Sequence, residues 1–95
     1  MFVDTKTVLS AKIYYTVDDG HPDWWCMTDK QKYEVNTFED TYIFDNNWYA
    51  KDEVDAMIEH AKWDLALVAG GGYDTDHIHN IRYEFNLEKC WLYLN

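Results

Sequence analysis

With 95 residues, 18 of them acidic and eight basic, the chain has room for one hydrophobic core and a formal charge of −10. That charge excludes the basic footprint that free nucleic acid or an anionic membrane requires. The hydrophobic fraction of 47% fits a folded domain rather than an acidic disordered segment.

The first strong pattern runs from Thr7 to Val17, where Leu9, Ala11, Ile13, Tyr15 and Val17 alternate with Val8, Ser10, Lys12, Tyr14 and Thr16. Period-two alternation predicts a half-buried strand. Asp18 to Asp23, with the single Pro at position 22, reads as a turn or loop. Trp24 to Met27 reads as a short apolar strand. Lys32–Thr37 and Thr41–Asp45 are β-rich pieces, with an acidic turn predicted at Phe38-Glu39-Asp40.

A helix is predicted over about Ala50 to Ala69, because Val54, Ile58, Ala61, Leu65 and Val68 recur at spacings of 3, 4, 4 and 3 residues. Asn46 or Asn47 supplies a cap, Asp52, Glu53 and Asp55 crowd the positive end of the helix dipole, and Gly70-Gly71-Gly72 closes it. Asp76–Phe85 then reads as a strand pairing with Lys89–Leu94 across a turn at Asn86-Leu87-Glu88. Strands on both sides of one amphipathic helix predict an α+β fold: a small antiparallel sheet of about four or five strands with the helix on one face. Residues 1–95 read as a single domain without linker or repeat.

Met1-Phe2-Val3-Asp4 leads into polar alternation, with no basic region before an apolar run, and no stretch has the length of a membrane span. The expected location is therefore the cytoplasm, where Cys26 and Cys90 are read as free thiols and Cys90 as a small core residue.

Three groups of residues are candidates for chemistry. The acidic segment holds Glu39, Asp40, Asp45, Asp52, Glu53, Asp55, Glu59 and Asp64, offset only by Lys51 and Lys62. On a helical wheel, Asp52, Glu59 and Trp63 lie opposite the apolar stripe, with Asp55 at the edge of that face. Carboxylates in such a row can occupy Arg and Lys sites built for phosphates, and an indole on a polar helix face calls for a cover or a partner. The same residues also describe an ordinary solvated helix face. The second group is His77 and His79, two apart on a strand and so on one face, with Asp74 or Asp76 as further N and O ligands of the kind zinc or nickel takes, and His21 or His60 in reserve. A polar strand end explains these residues equally well. The third group is empty: no hydrolase, metalloprotease, phosphate-loop or dinucleotide fingerprint is present, and the glycine triplet follows a helix instead of preceding one. The chain is therefore read as a non-enzyme without a cofactor.

Aromatics interleave with negative charge, as in Asp23-Trp24-Trp25 and Asp45-Asn46-Asn47-Trp48-Tyr49, a pattern suited to a partner presenting Arg and Lys. In size, charge and lack of a catalytic motif the chain resembles small phage-encoded counter-defence proteins, the anti-restriction and anti-CRISPR inhibitors. The resemblance is compositional and spans no alignable motif. It implies DNA mimicry: docking on the basic nucleic-acid-binding surface of a nuclease or defence complex in the cytoplasm of a host cell. The expected contacts are Asp52, Asp55, Glu59 and Trp63, flanked by Glu39, Asp40 and Asp45. An immunity protein or antitoxin against a basic nuclease toxin would carry the same surface. A metal-binding domain or enzyme built on His77 and His79 is the reading from another class, and an accessory phage protein kept soluble by its acidity is the plainest.

Overall fold

Leu9, Ala11, Ile13 and Val17 all turn to one side of a long strand, β1 (Phe2–Val17), where each is at most 9% exposed. The computed structural model describes residues 2–44, 51–72 and 74–93, with side chains for 7–44, 51–72 and 74–88. Within them β1 is the central strand of a three-stranded antiparallel sheet of order β2-β1-β3, with β2 (Asn36–Phe44) on one side and β3 (Ile78–Tyr93) on the other. The helix α2 (Lys51–Ala69) covers one face. The class is thus α+β, with three strands among the described residues in place of the expected four or five.

The reason for that difference lies in two polar tripeptides. Phe38-Glu39-Asp40 and Asn86-Leu87-Glu88 look like turns, yet each runs through the interior of an edge strand. Phe38 pairs with Ile13 and packs on the core, while Glu39 pairs with Lys12 on the uncovered face. A sheet covered on one side accommodates such residues without a break in the ladder.

Residues 24–33 also depart from the strands expected there. Trp24–Cys26 is a single 3-10 turn, and Asp29–Tyr33 is a short helix, α1. A capping box starts it: Thr28 Oγ1 accepts the Gln31 N–H at 3.2 Å, and Gln31 Oε1 accepts the Thr28 N–H at 2.9 Å.

The core lies between β1 and α2, where Leu9, Ile13 and Leu65 are fully enclosed. Burying one such side chain contributes about 1.5–3 kcal/mol. Tyr42, Phe38 and Phe44 of β2 and Tyr83 and Phe85 of β3 line its sides. Ala61 and Leu65 of the expected apolar stripe are buried, but Val68 is 46% exposed, and Ala66 and Ala69 are buried in its stead. The buried face turns because the loop after β1 lies against the last turn of the helix. There His21, only 4% exposed, places Nε2 2.7 Å from the Ala69 carbonyl oxygen.

The glycine triplet ends α2 as a Schellman motif. The Gly72 N–H donates to the Leu67 carbonyl at 2.8 Å and the Gly71 N–H to that of Val68 at 3.0 Å, with Gly71 at φ 87°. The expected caps Asn46 and Asn47 lie outside the described residues, as does the side chain of Cys90. Among the described residues no helix is long and apolar enough to cross a membrane.

Candidate functional site: an acidic helix face

Asp52, Asp55, Glu59 and Trp63 follow one another at three- and four-residue steps, which aligns them along the solvent side of α2. All four are exposed, Trp63 by 64%. Among the described residues nothing pairs with Asp52 or Asp55, whereas Glu59 meets Lys62 at 3.3 Å. That exposed pair is worth little. At a rise of ~1.5 Å per residue, the three carboxylates span roughly 10 Å of helix axis, with steps of about 4.5 and 6 Å. One DNA strand carries a phosphate about every 3.4 Å of its axis, so the spacing of the row is within a factor of two.

The flanking acids divide. Asp40 is exposed on β2, opposite Ala11 and so on the helix side of the sheet. Glu39 is its neighbour along the strand and belongs to the other face, where it lies 3.5 Å from Lys12. Glu39 therefore does not join the helix row. Asp45 lies outside the described residues. Asp64 is turned inward from the row and accepts the Tyr42 hydroxyl at 2.7 Å. Burial and then this bond push the Tyr42 hydroxyl well above the usual tyrosine range.

The two histidines converge, but on a residue the sequence did not suggest. Asp18 Oδ1 takes His77 Nδ1 at 2.9 Å, and Asp18 Oδ2 takes His79 Nε2 at 2.6 Å. The Gly20 N–H adds a 2.8 Å bond to Oδ1. The hydrogen bond from His79 is the largest cause holding the Asp18 carboxyl at about 2; burial opposes it, and Gly20 and His77 assist. Asp74, expected as a ligand, instead accepts the backbone N–H of Asp76 at 3.1 Å. His21 is occupied in the core, accepting the Asp23 N–H on Nδ1 at 3.1 Å. His60 is exposed on α2. Among the described residues no three His, Cys, Asp or Glu side chains are arranged to hold a metal ion.

The bulge that seats His79 has a simple cause. Tyr14 pairs with Arg82 and Thr16 with His79, so two residues of β3 oppose one of β1. Asn80 absorbs the excess with φ 54° and donates to Thr16 Oγ1 at 2.9 Å. Asn tolerates this left-handed conformation better than most residues.

Beyond the bulge, the uncovered sheet face is knitted by its own charges. The Arg82 guanidinium lies 4.0 Å from the Tyr14 ring centroid, and Arg82 and the Tyr14 hydroxyl both reach Glu84, at 3.1 and 2.9 Å. An open depression of about 430 Å³ lies there, lined in part by Lys12, Glu39, Thr41, Glu84 and Asn86. Glu39 and Glu84 there are already paired, unlike Asp52 and Asp55, while Asp40, which also borders the depression, accepts only the Thr41 N–H among the described residues.

A further exposed group was only half legible. Trp25 is 88% exposed and Tyr33 75%. Trp24 meets the Tyr33 ring edge-on at 5.9 Å. Asp23-Trp24-Trp25 marked the first part of this group, whereas Tyr33 joins it only because α1 is a helix.

Fold and surface together define a small acidic α+β protein with a charged, indole-bearing helix on one side of a three-stranded sheet. No protein-family model, no curated protein and no solved structure matches the chain.

Proposed function

We propose that this protein is a non-enzymatic inhibitor that docks α2 on the basic nucleic-acid-binding surface of a nuclease or defence complex, with carboxylates standing in for phosphates. The observation that carries the reading is the row Asp52, Asp55, Glu59 and Trp63: two carboxylates without partners among the described residues and a Trp left 64% exposed on a charged helix. Guanidinium groups bind carboxylate and phosphate with the same donor fork, so a groove built for nucleic acid accepts such a row. An exposed indole gives the contact an apolar anchor, which charge alone lacks. The net charge of −10 adds long-range attraction to a basic target. Asp40 extends this surface, and Asp45 belongs to it by the sequence pattern; Glu39 faces away. The site of action is the cytoplasm of the cell that holds the target.

Capture of a purified basic nuclease or defence complex, eluted by rising salt, tests the reading. Replacing Asp52, Asp55 and Glu59 together by Lys should abolish capture while the circular dichroism spectrum is retained. A triple variant that binds as the parent does removes α2 from the contact.

A further inference from the structure

Lys32 is the unexpected cation of this chain. In a protein with 18 acidic residues its ammonium makes no ion pair among the described residues. It lies instead 5.2 Å from the Trp24 ring centroid and 6.0 Å from that of Trp25. Trp25 presents nearly all of its surface to solvent, and Tyr33 closes the side of the group against Trp24. A positive charge is drawn to an indole face within about 6 Å of its centre by the ring quadrupole. The position that Lys32 fills is therefore a place for an organic cation.

The geometry points to a receptor made of Trp24, Trp25 and Tyr33 that accepts an Arg side chain of a protein partner, with Lys32 holding the site in the free protein. The inference rests on the basic partner proposed above and names a second point of contact for it, away from α2 in sequence. Arg suits the site better than Lys, because a planar guanidinium stacks on an aromatic face and sheds water more easily than an ammonium. Two features favour an incoming side chain over the resident one. Lys32 is tethered at the edge of the Trp25 contact, at the limit of useful distance. The chain's negative charge also draws in a cation from outside. In sequence, Asp23, Asp29 and Glu34 flank the site against Lys30 and Lys32, three acids to two bases, so the local charge is slightly negative and the rings supply the selectivity.

The test uses the full chain and two capped tripeptides, Gly-Arg-Gly and the same peptide with neutral citrulline for Arg. The indole N–H resonances of Trp24 and Trp25 report the site, and those of the other tryptophans serve as controls. The Arg peptide should move the Trp24 and Trp25 signals in a saturable way, and the citrulline peptide should not. Lys32→Ala should tighten Arg-peptide binding roughly twofold to fivefold, the size of one exposed cation–π contact. Trp25→Ala should abolish it. Equal shifts with both peptides, or an affinity unchanged in Lys32→Ala, would overturn the inference. The triple Lys variant of α2 should still bind the Arg peptide saturably and not the citrulline peptide, weakened only by the loss of long-range attraction. Loss of partner capture in that variant with peptide binding retained thus separates this site from the helix row, and peptide binding by a chain that captures no basic partner leaves this site standing alone.

Discussion

His21 Nε2 lies 2.7 Å from the Ala69 carbonyl oxygen, while Nδ1 of the same ring accepts the Asp23 N–H at 3.1 Å. The ring therefore sits as the neutral tautomer with its proton on Nε2, and it joins the loop after β1 to the end of α2. His21→Ala would leave the buried Ala69 carbonyl and the half-buried Asp23 N–H without their partner. Each such group costs ~1–3 kcal/mol. Urea unfolding should show a loss of about 2–4 kcal/mol; a loss below ~0.5 kcal/mol would mean that water replaces the ring.

Asp18 should titrate near 2 rather than at the ordinary 3.8, because His79, Gly20 and His77 all donate to its carboxylate. A carboxyl with a depressed value stabilises the fold fully above 3.8, and that contribution disappears as the pH falls from 3.8 to about 2. Carbon-detected NMR can follow the side chain directly, and a midpoint at or above 3.8 would contradict the arrangement. His79→Ala and His77→Ala should each raise the midpoint. Gly20→Ala should raise it too, since a Cβ there would meet the His77 ring and push it aside.

Tyr42→Phe should cost about 1–2 kcal/mol in urea unfolding, because the half-buried Asp64 loses its hydroxyl donor. The raised Tyr42 hydroxyl stabilises the fold fully below the ordinary 10, and the contribution is lost as the pH rises beyond it. Burial raises Tyr15 and Tyr83 as well. Absorbance titration of the tyrosines should thus show a late-ionising class that Tyr42→Phe depletes; a single transition near 10 would refute it.

Thr7 is 3% exposed on the core side of β1, and its hydroxyl has no hydrogen-bond partner among the described residues. Thr7→Val keeps the shape and removes the orphaned oxygen. The variant should be more stable by about 1 kcal/mol, read as a higher urea midpoint at unchanged slope. A destabilised variant would show that the hydroxyl is satisfied in solution.

Local pattern made two elements legible. Alternation from Leu9 to Val17 placed β1, and the spacing of Ala61 and Leu65 placed α2, since each signal depends only on neighbours along the chain. Glu39 and Leu87 were misread as parts of turns because an edge strand with one open face tolerates residues that usually break strands. Thr28 and Gln31 have the capping-box spacing that starts α1, a signal that was missed, and Lys32–Thr37 was read as β-rich instead. His77 and His79 were grouped with Asp74 or Asp76 as metal ligands, but they meet on Asp18, 59 residues before His77, which only the pairing of β1 with β3 brings to them. Trp63 was expected to need a cover or a partner, and its exposure leaves that need in place.

The pairing of Phe2 with Tyr93 also sets the order in which the molecule can be made. Of the three strands described, the one that becomes the middle of the sheet is made before both of its neighbours, and β3 is made after β2. Until Ile78–Tyr93 has emerged, β1 can hold at most β2, and a row of its backbone donors and acceptors remains open to any extended chain nearby. Nascent chains that stall before residue 78 should therefore be cleared by proteases or chaperones, and spontaneous refolding should be slow for so small a domain because the pairing of β1 with β3 joins segments far apart in sequence.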